Sequence, residues 1–247
     1  MLKMFLLQLK FLTTIPLPVK IEFDENKFAK GVIFSPVVGL IIGLILGGTF
    51  ILVNLAGKQI IAVVSVVFVG IIITGGLHLD GLADTFDGIF SNQPKEKILK
   101  IMKDSRIGTN GTLALIMDVI FRISLLYSLS EQNMFAYLCI TPVISRMSIA
   151  WTAGLASGTR KGSMAGALVK HTGYREIIIA SAITAFLSIA FIRQLTLVVI
   201  PAVILFAVIC ERYAEKKIGC ISGDIIGAVI EMTEITVLFA LFIYELF

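Results

Sequence analysis

The sequence predicts an all-α protein: a polytopic membrane bundle of about seven transmembrane helices with an N-terminal interfacial helix, forming one integral-membrane domain over residues 1–247. Three observations predict it. The chain is 57% hydrophobic and only 15% charged, with a mean hydropathy of +0.96, far from the balance of a water-soluble domain. Apolar runs of about 20 residues, the length that crosses a hydrocarbon core, recur throughout and leave no stretch for a separate soluble domain. Most of the basic residues fall in the N-terminal stretch and in alternate connections between those runs.

The opening MLKMFLLQLKFLTTIPLP mixes lysines into an apolar stretch and lacks the unbroken core and small-residue cleavage site of a secretory signal. It reads as a helix lying in the interface, broken by Pro16 and Pro18. Spans are expected at roughly 31–53, 59–77, 111–130, 134–156, 176–192, 195–210 and 225–247, the fifth and sixth being short and joined by a tight turn. Alternation then places residues 1–30, 78–110, 157–175 and 211–224 on one side. Of the 21 Lys and Arg residues, only Lys58 and Arg193 fall on the other side, and only Arg122 and Arg146 fall within spans. The positive-inside bias makes the basic side cytoplasmic, with the N-terminus inside, in a cell inner or plasma membrane.

The net charge of +4 follows from this asymmetry and is not a nucleic-acid footprint; no interleaving of basic and aromatic residues suits a single strand. Three cysteines show neither metal-binding nor disulfide spacing, and Cys139 and Cys210 sit in apolar runs as small core residues. The apolar exterior is solvated by membrane lipid and is compatible with a homo-oligomer.

The acidic residues carry the chemistry. In GGLHLDGLADTFDG, residues 75–88, Asp80, Asp84 and Asp87 stand at i, i+4 and i+7 and share one face if the second span continues as a helix to about residue 90. Three carboxylates on one stripe repel one another, and a divalent cation removes that cost. Hard oxygen ligands one turn apart suit Mg²⁺ bridging to a diphosphate. The plain alternative, a solvated acidic helix end, is unfavourable with no lysine before Lys95. His78 reads equally as an interfacial hydrogen-bonding residue and as a substrate-binding one. Downstream, ILKIMKDSRIGTNG, residues 98–111, supplies Lys103 and Arg106, each of which reads equally as a phosphate-binding cation and as a plain topology marker. SGDIIGAVIEMTE, residues 222–234, sets Asp224, Glu231 and Glu234 on one face of the last span, with the two glutamates below the interface. Carboxylates at that depth need partners, and Arg146 and the i, i+4 pair Asp118 and Arg122 are the candidates.

These stretches, in this order and spacing, resemble the cobalamin synthase family of membrane-bound adenosylcobinamide-GDP ribazoletransferases. The similarity extends to FLTTIPLP near the N-terminus and SPVVGLIIG in the first span. The resemblance implies that α-ribazole or its 5′-phosphate displaces GMP from adenosylcobinamide-GDP, with Mg²⁺ required, to give adenosylcobalamin or its 5′-phosphate. On that reading Asp80, Asp84 and Asp87 hold Mg²⁺ against the diphosphate, and His78, Lys103 and Arg106 bind substrate. Arg160 and Lys161 hold a 5′-phosphate, and Asp104 or Asp224 is the base for the ribazole 5′-oxygen. Two other readings compete. DGLAD is similar to part of the CDP-alcohol phosphotransferase pattern, with an aspartate where that family has arginine. A secondary transporter could use Glu231, Glu234, Asp118 and Arg146, but the chain has no convincing internal repeat.

Overall fold

The computed structural model describes residues 1–159 and 163–247. Its helices are α1 (Leu2–Leu12), α2 (Glu25–Lys30), α3 (Ser35–Asn54), α4 (Gln59–Thr74), α5 (Leu77–Ile89), α6 (Lys95–Ile101), α7 (Thr109–Ser128), α8 (Glu131–Leu155), α9 (Met164–His171), α10 (Tyr174–Ile192), α11 (Thr196–Ile218) and α12 (Gly223–Glu245). Among the described residues there is no strand, only an isolated bridge between Thr159 and Ile221.

Among the described residues, five stretches are long and apolar enough to cross a membrane: Glu25–Asn54, Thr109–Ser128, Glu131–Leu155, Tyr174–Ile218 and Gly223–Glu245. The fourth is broken by a 3-10 turn at Arg193–Leu195, where Arg193 has a φ of 47°. It doubles back there. Ile177 near its start packs on Gly154, and Glu215 near its end accepts hydrogen bonds from the Ser157 and Gly158 amides, so both its ends lie beside the C-terminal end of α8. Counting that stretch as two passes and α4 as one more gives seven crossings, as the hydropathy pattern predicts. The sixth pass runs beyond the expected end at 210, because Glu211, Ala214 and Ile218 continue an inward-facing stripe through ERYAEKKI.

Contacts between elements sort the connections onto two ends. At one, the Asn54 amide donates to Glu131 at 2.9 Å, and Glu245 accepts from the Ser130 amide, Asn133 and the Tyr137 hydroxyl. At the other, the Thr14 amide donates to the Ile73 carbonyl at the end of α4, and the Lys95 side chain lies against Gly219. Gly81 of α5 packs there on the Asp224 backbone. The segments rich in Lys and Arg therefore gather at one end.

Helix α8 forms the centre, buried along most of its length, with α3, α10, α11 and α12 around it. Helix α3 approaches it most closely, because Gly39 and Gly43 present no side chain: a Cβ on either would run into the Pro142 or the Cys139 carbonyl. Lipid tails are as apolar as leucine, so such close van der Waals packing, rather than hydrophobic burial, holds helices together in a bilayer. Helix α1 turns Leu7, Leu9 and Leu12 inward, and its buried Gln8 donates to the Phe28 carbonyl at 2.7 Å, fixing it to the basic end.

The expected continuation of the second span to residue 90 is corrected at Gly75 and Gly76. Both take left-handed conformations, with φ of 64° and 67°, and α5 leaves α4 at 89°. Only glycine adopts two such residues in succession at low cost. The Thr14 hydroxyl also donates to the Ile72 carbonyl, so the N-terminal segment caps the helix end that the turn leaves open. Helix α5 then lies across the start of α12 instead of along the span axis.

Candidate functional site

Helix α5 carries Asp80, Asp84 and Asp87, and the bend places them at the basic end of the bundle. Asp80 and Asp84 face a chamber of about 740 Å³ whose wall also includes Gly75, Gly76, Lys103 and Asp104. Asp84 is half-buried, and its carboxyl is pushed up to about 6 by that burial and then by the charges of Asp80, Asp224 and Asp87. Asp87 is engaged by backbone amides. One of its oxygens accepts from the Gly108 amide at 2.7 Å and the other from the Gly111 amide at 2.8 Å, satisfying donors at the start of α7. A side chain on either glycine would strike that carboxylate. The aspartate motif and the SRIGTNG turn are therefore one structural unit.

Lys103 is exposed in the chamber wall, just after α6. Asp104 and Arg106 pair with each other: the Arg106 Nε donates at 3.0 Å, its Nη2 at 2.7 Å and its backbone amide at 3.1 Å. These bonds hold the Asp104 carboxyl down at about 2, which makes it a weak proton acceptor. Asp224 sits in the first turn of α12, where the Ser222 side chain caps the helix and donates to it at 3.2 Å. Asp224 also lines a second chamber, of about 290 Å³, together with Asp80, His78 and Ser163. Asp80 is common to both chambers. Arg160 and Lys161 lie outside the described residues.

Among the described residues, no three His, Cys, Asp or Glu side chains converge closely enough to enclose a metal by themselves. Asp80 and Asp84 instead offer two carboxylates on an open wall, where burial first and the charge of Asp80 second raise Asp84. That set fits Mg²⁺, which keeps several waters and takes one or two carboxylates plus substrate phosphates.

Behind the chambers is a buried ionic cluster joining three spans. Arg122 donates to Asp118 at 2.7 Å and also pairs with Glu231 and Glu234; Arg146 pairs with Glu234 and donates to Ser145 at 2.9 Å. The partners expected for Glu231 and Glu234 are thus the ones found. His78 of α5 reaches the edge of this cluster, its Nδ1 3.7 Å from Glu231. Sequence reasoning missed the Gly108 and Gly111 amides and the second chamber. Backbone donors leave no mark in a side-chain pattern, and a chamber between α5, α9 and α12 has no local spacing.

The fold and the site define an integral-membrane helical protein with an open chamber lined by carboxylates and Lys103 at its basic end. The chain belongs to the cobalamin-5-phosphate synthase family, whose sequence model matches residues 4–242. It is 40% identical over 237 residues to an adenosylcobinamide-GDP ribazoletransferase of Caldanaerobacter subterraneus, covering 95% of each chain. To the protein of the same name from Clostridium acetobutylicum it is 39% identical over 232 residues, covering 93% of this chain and 91% of that one. A third relative of that name, from Fusobacterium nucleatum, is 37% identical over 276 residues, covering 100% and 99%. No solved structure matches the chain.

Proposed function

We propose that this chain is an Mg²⁺-dependent adenosylcobinamide-GDP ribazoletransferase of cobalamin biosynthesis, with its site open to the cytoplasm. The observation that carries the reading is the single chamber onto which Asp80, Asp84 and Lys103 open, built from the same motifs that carry the family resemblance. The cytoplasmic orientation rests on the gathering of the basic segments at that end.

The chemistry is a phosphoryl exchange. A ribazole hydroxyl oxygen forms a bond to the phosphorus that bears the cobinamide. The bond from that phosphorus to the oxygen bridging toward guanosine breaks, and GMP departs with the bridging oxygen. A product that retains its 5′-phosphate cannot have been joined through the 5′-oxygen, so the nucleophile is a hydroxyl of the ribose ring, not the 5′-oxygen first expected. Asp80 and Asp84 would hold Mg²⁺, which when bound offsets the charge on the phosphate and leaving oxygens. Asp87 keeps α7 and its preceding turn docked on α5, so that Lys103 stands in the same wall as the carboxylates. Lys103 neutralises a phosphate oxygen as a point charge, and Arg106 at the rim clasps the GMP portion by exchanging Asp104 for phosphate. Asp224, which lines the second chamber together with Asp80, is the proposed proton acceptor for the attacking hydroxyl. Arg160 and Lys161, beside Ser163 in the sequence, are the proposed holders of a 5′-phosphate.

Purified protein incubated with adenosylcobinamide-GDP, α-ribazole 5′-phosphate and Mg²⁺ is expected to release GMP and form a new cobalamin in equal amounts. Absence of both products from folded protein overturns the reading. The transporter alternative loses its residues to structure, since Arg122 and Arg146 neutralise Glu231, Glu234 and Asp118 within the core.

A further inference from the structure

The second chamber has features that the diphosphate site does not use. Its walls are largely apolar, from Leu77, Ala165, Leu168, Ile226 and Ile230, and one part is polar, from Asp80, Ser163, Ser222 and Asp224. His78 lines it while only 3% exposed, and neither of its ring nitrogens has a hydrogen-bond partner. The neighbouring Glu231 oxygen at 3.7 Å is too distant to supply one. A buried imidazole left in that state costs stability that a ligand's hydrogen bond recovers.

We infer that this chamber is the acceptor subsite: it takes the ribazole, a flat apolar heterocycle on a ribose, with His78 as the hydrogen-bonding anchor. The inference rests on the ribazoletransferase reading and adds where the acceptor enters. Its volume of about 290 Å³ lies near the lower bound of small-ligand pockets and suits a nucleoside; the more open chamber of about 740 Å³ is left for the bulky GDP-bearing donor. Asp80 lines both chambers, so donor and acceptor meet at one carboxylate from two sides. An in-line displacement needs that arrangement, with the attacking and leaving oxygens on opposite faces of the phosphorus.

The test measures initial rates of GMP release against each substrate separately, for wild type, Ala165→Phe and Met164→Trp. Ala165 is buried in the chamber wall, whereas Met164 is 50% exposed at its edge, so the second substitution leaves the core undisturbed. Both are expected to raise the KM for α-ribazole about tenfold or more and to leave the KM for adenosylcobinamide-GDP within about twofold. His78→Ala is expected to weaken equilibrium binding of α-ribazole measured alone, with no donor substrate present. Unchanged ribazole KM in Met164→Trp, or a shift confined to the donor's KM, overturns the subsite while leaving the transferase reading intact. If wild type releases no GMP, the transferase reading falls. Binding of α-ribazole alone, kept in wild type and lost in Met164→Trp, then still supports the chamber as a nucleoside site, and its absence from wild type overturns it.

Discussion

Asp84 lies half-buried among three other aspartates, and its raised carboxyl follows from that placement. The fold favours its protonated form. Its contribution to stability in the metal-free protein is therefore fully present below the ordinary value of 3.8 and is lost as pH rises through about 6. A bound cation reverses the preference, because it requires the carboxylate. The Mg²⁺ concentration giving half-maximal turnover is thus expected to rise as pH falls below about 6, measured as metal titrations at a series of pH values. Asp84→Asn is expected to insert and purify normally yet lose turnover; normal Mg²⁺-dependent rates in that variant would remove Asp84 from the site. Asp87→Ala belongs to another class of effect. It unpairs two amides at the start of α7, and thermal unfolding in detergent should show a loss of about 1–2 kcal/mol with a fall in kcat. The i, i+4, i+7 spacing of the aspartates is legible in the sequence. The engagement of the third by backbone amides, 21 and 24 residues further on, is not.

At the scale of an element, the bend between α4 and α5 decides where the aspartates point. Its two glycines read in the sequence only as permissive residues; the 89° turn emerges from their left-handed conformations together with the Thr14 cap. A Cβ on Gly76 meets nothing within 4 Å, so Gly76→Val tests the backbone alone. A β-branched residue there should cost roughly 1–2 kcal/mol and relax the turn. GMP release should drop in that variant, whereas Gly48→Ala, equally open in the interior of α3, should leave activity unchanged and stability the same or slightly higher. Equal rates for the two variants would show that the bend does not set the geometry of the site. Helix α4 was predicted from apolar run length and α5 only as its continuation; the break between them was not, because hydropathy averages over a glycine pair.

For the whole molecule, the buried charges determine how the bundle locks together. Arg122 and Arg146 join α7, α8 and α12 through Asp118, Glu231 and Glu234, at depths where water cannot compensate an unpaired group. Arg146→Met leaves Glu234 short of a partner and is expected to cost about 3–5 kcal/mol, seen as loss of monodisperse protein after extraction. Adding Glu234→Gln should recover part of that loss, since the double variant no longer buries the uncompensated charge. No recovery would mean that Arg146 acts through packing. The i, i+4 spacing of Asp118 and Arg122 announced one of these pairs and the depth of the glutamates named their candidate partners; which arginine meets which glutamate, about 90 to 110 positions apart, required the fold.

By itself the sequence determined the membrane class, about seven crossings and the gathering of the basic segments on one side, and it named the residue types of the candidate site, because run length, charge asymmetry and helical spacing are local properties. Tertiary structure alone decided that α5 lies across α12, that Asp80 belongs to two chambers and that His78 ends in a buried wall with both nitrogens unpaired. Those outcomes depend on which helix faces meet and on two backbone angles at Gly75 and Gly76, and neither is encoded within the reach of a single turn.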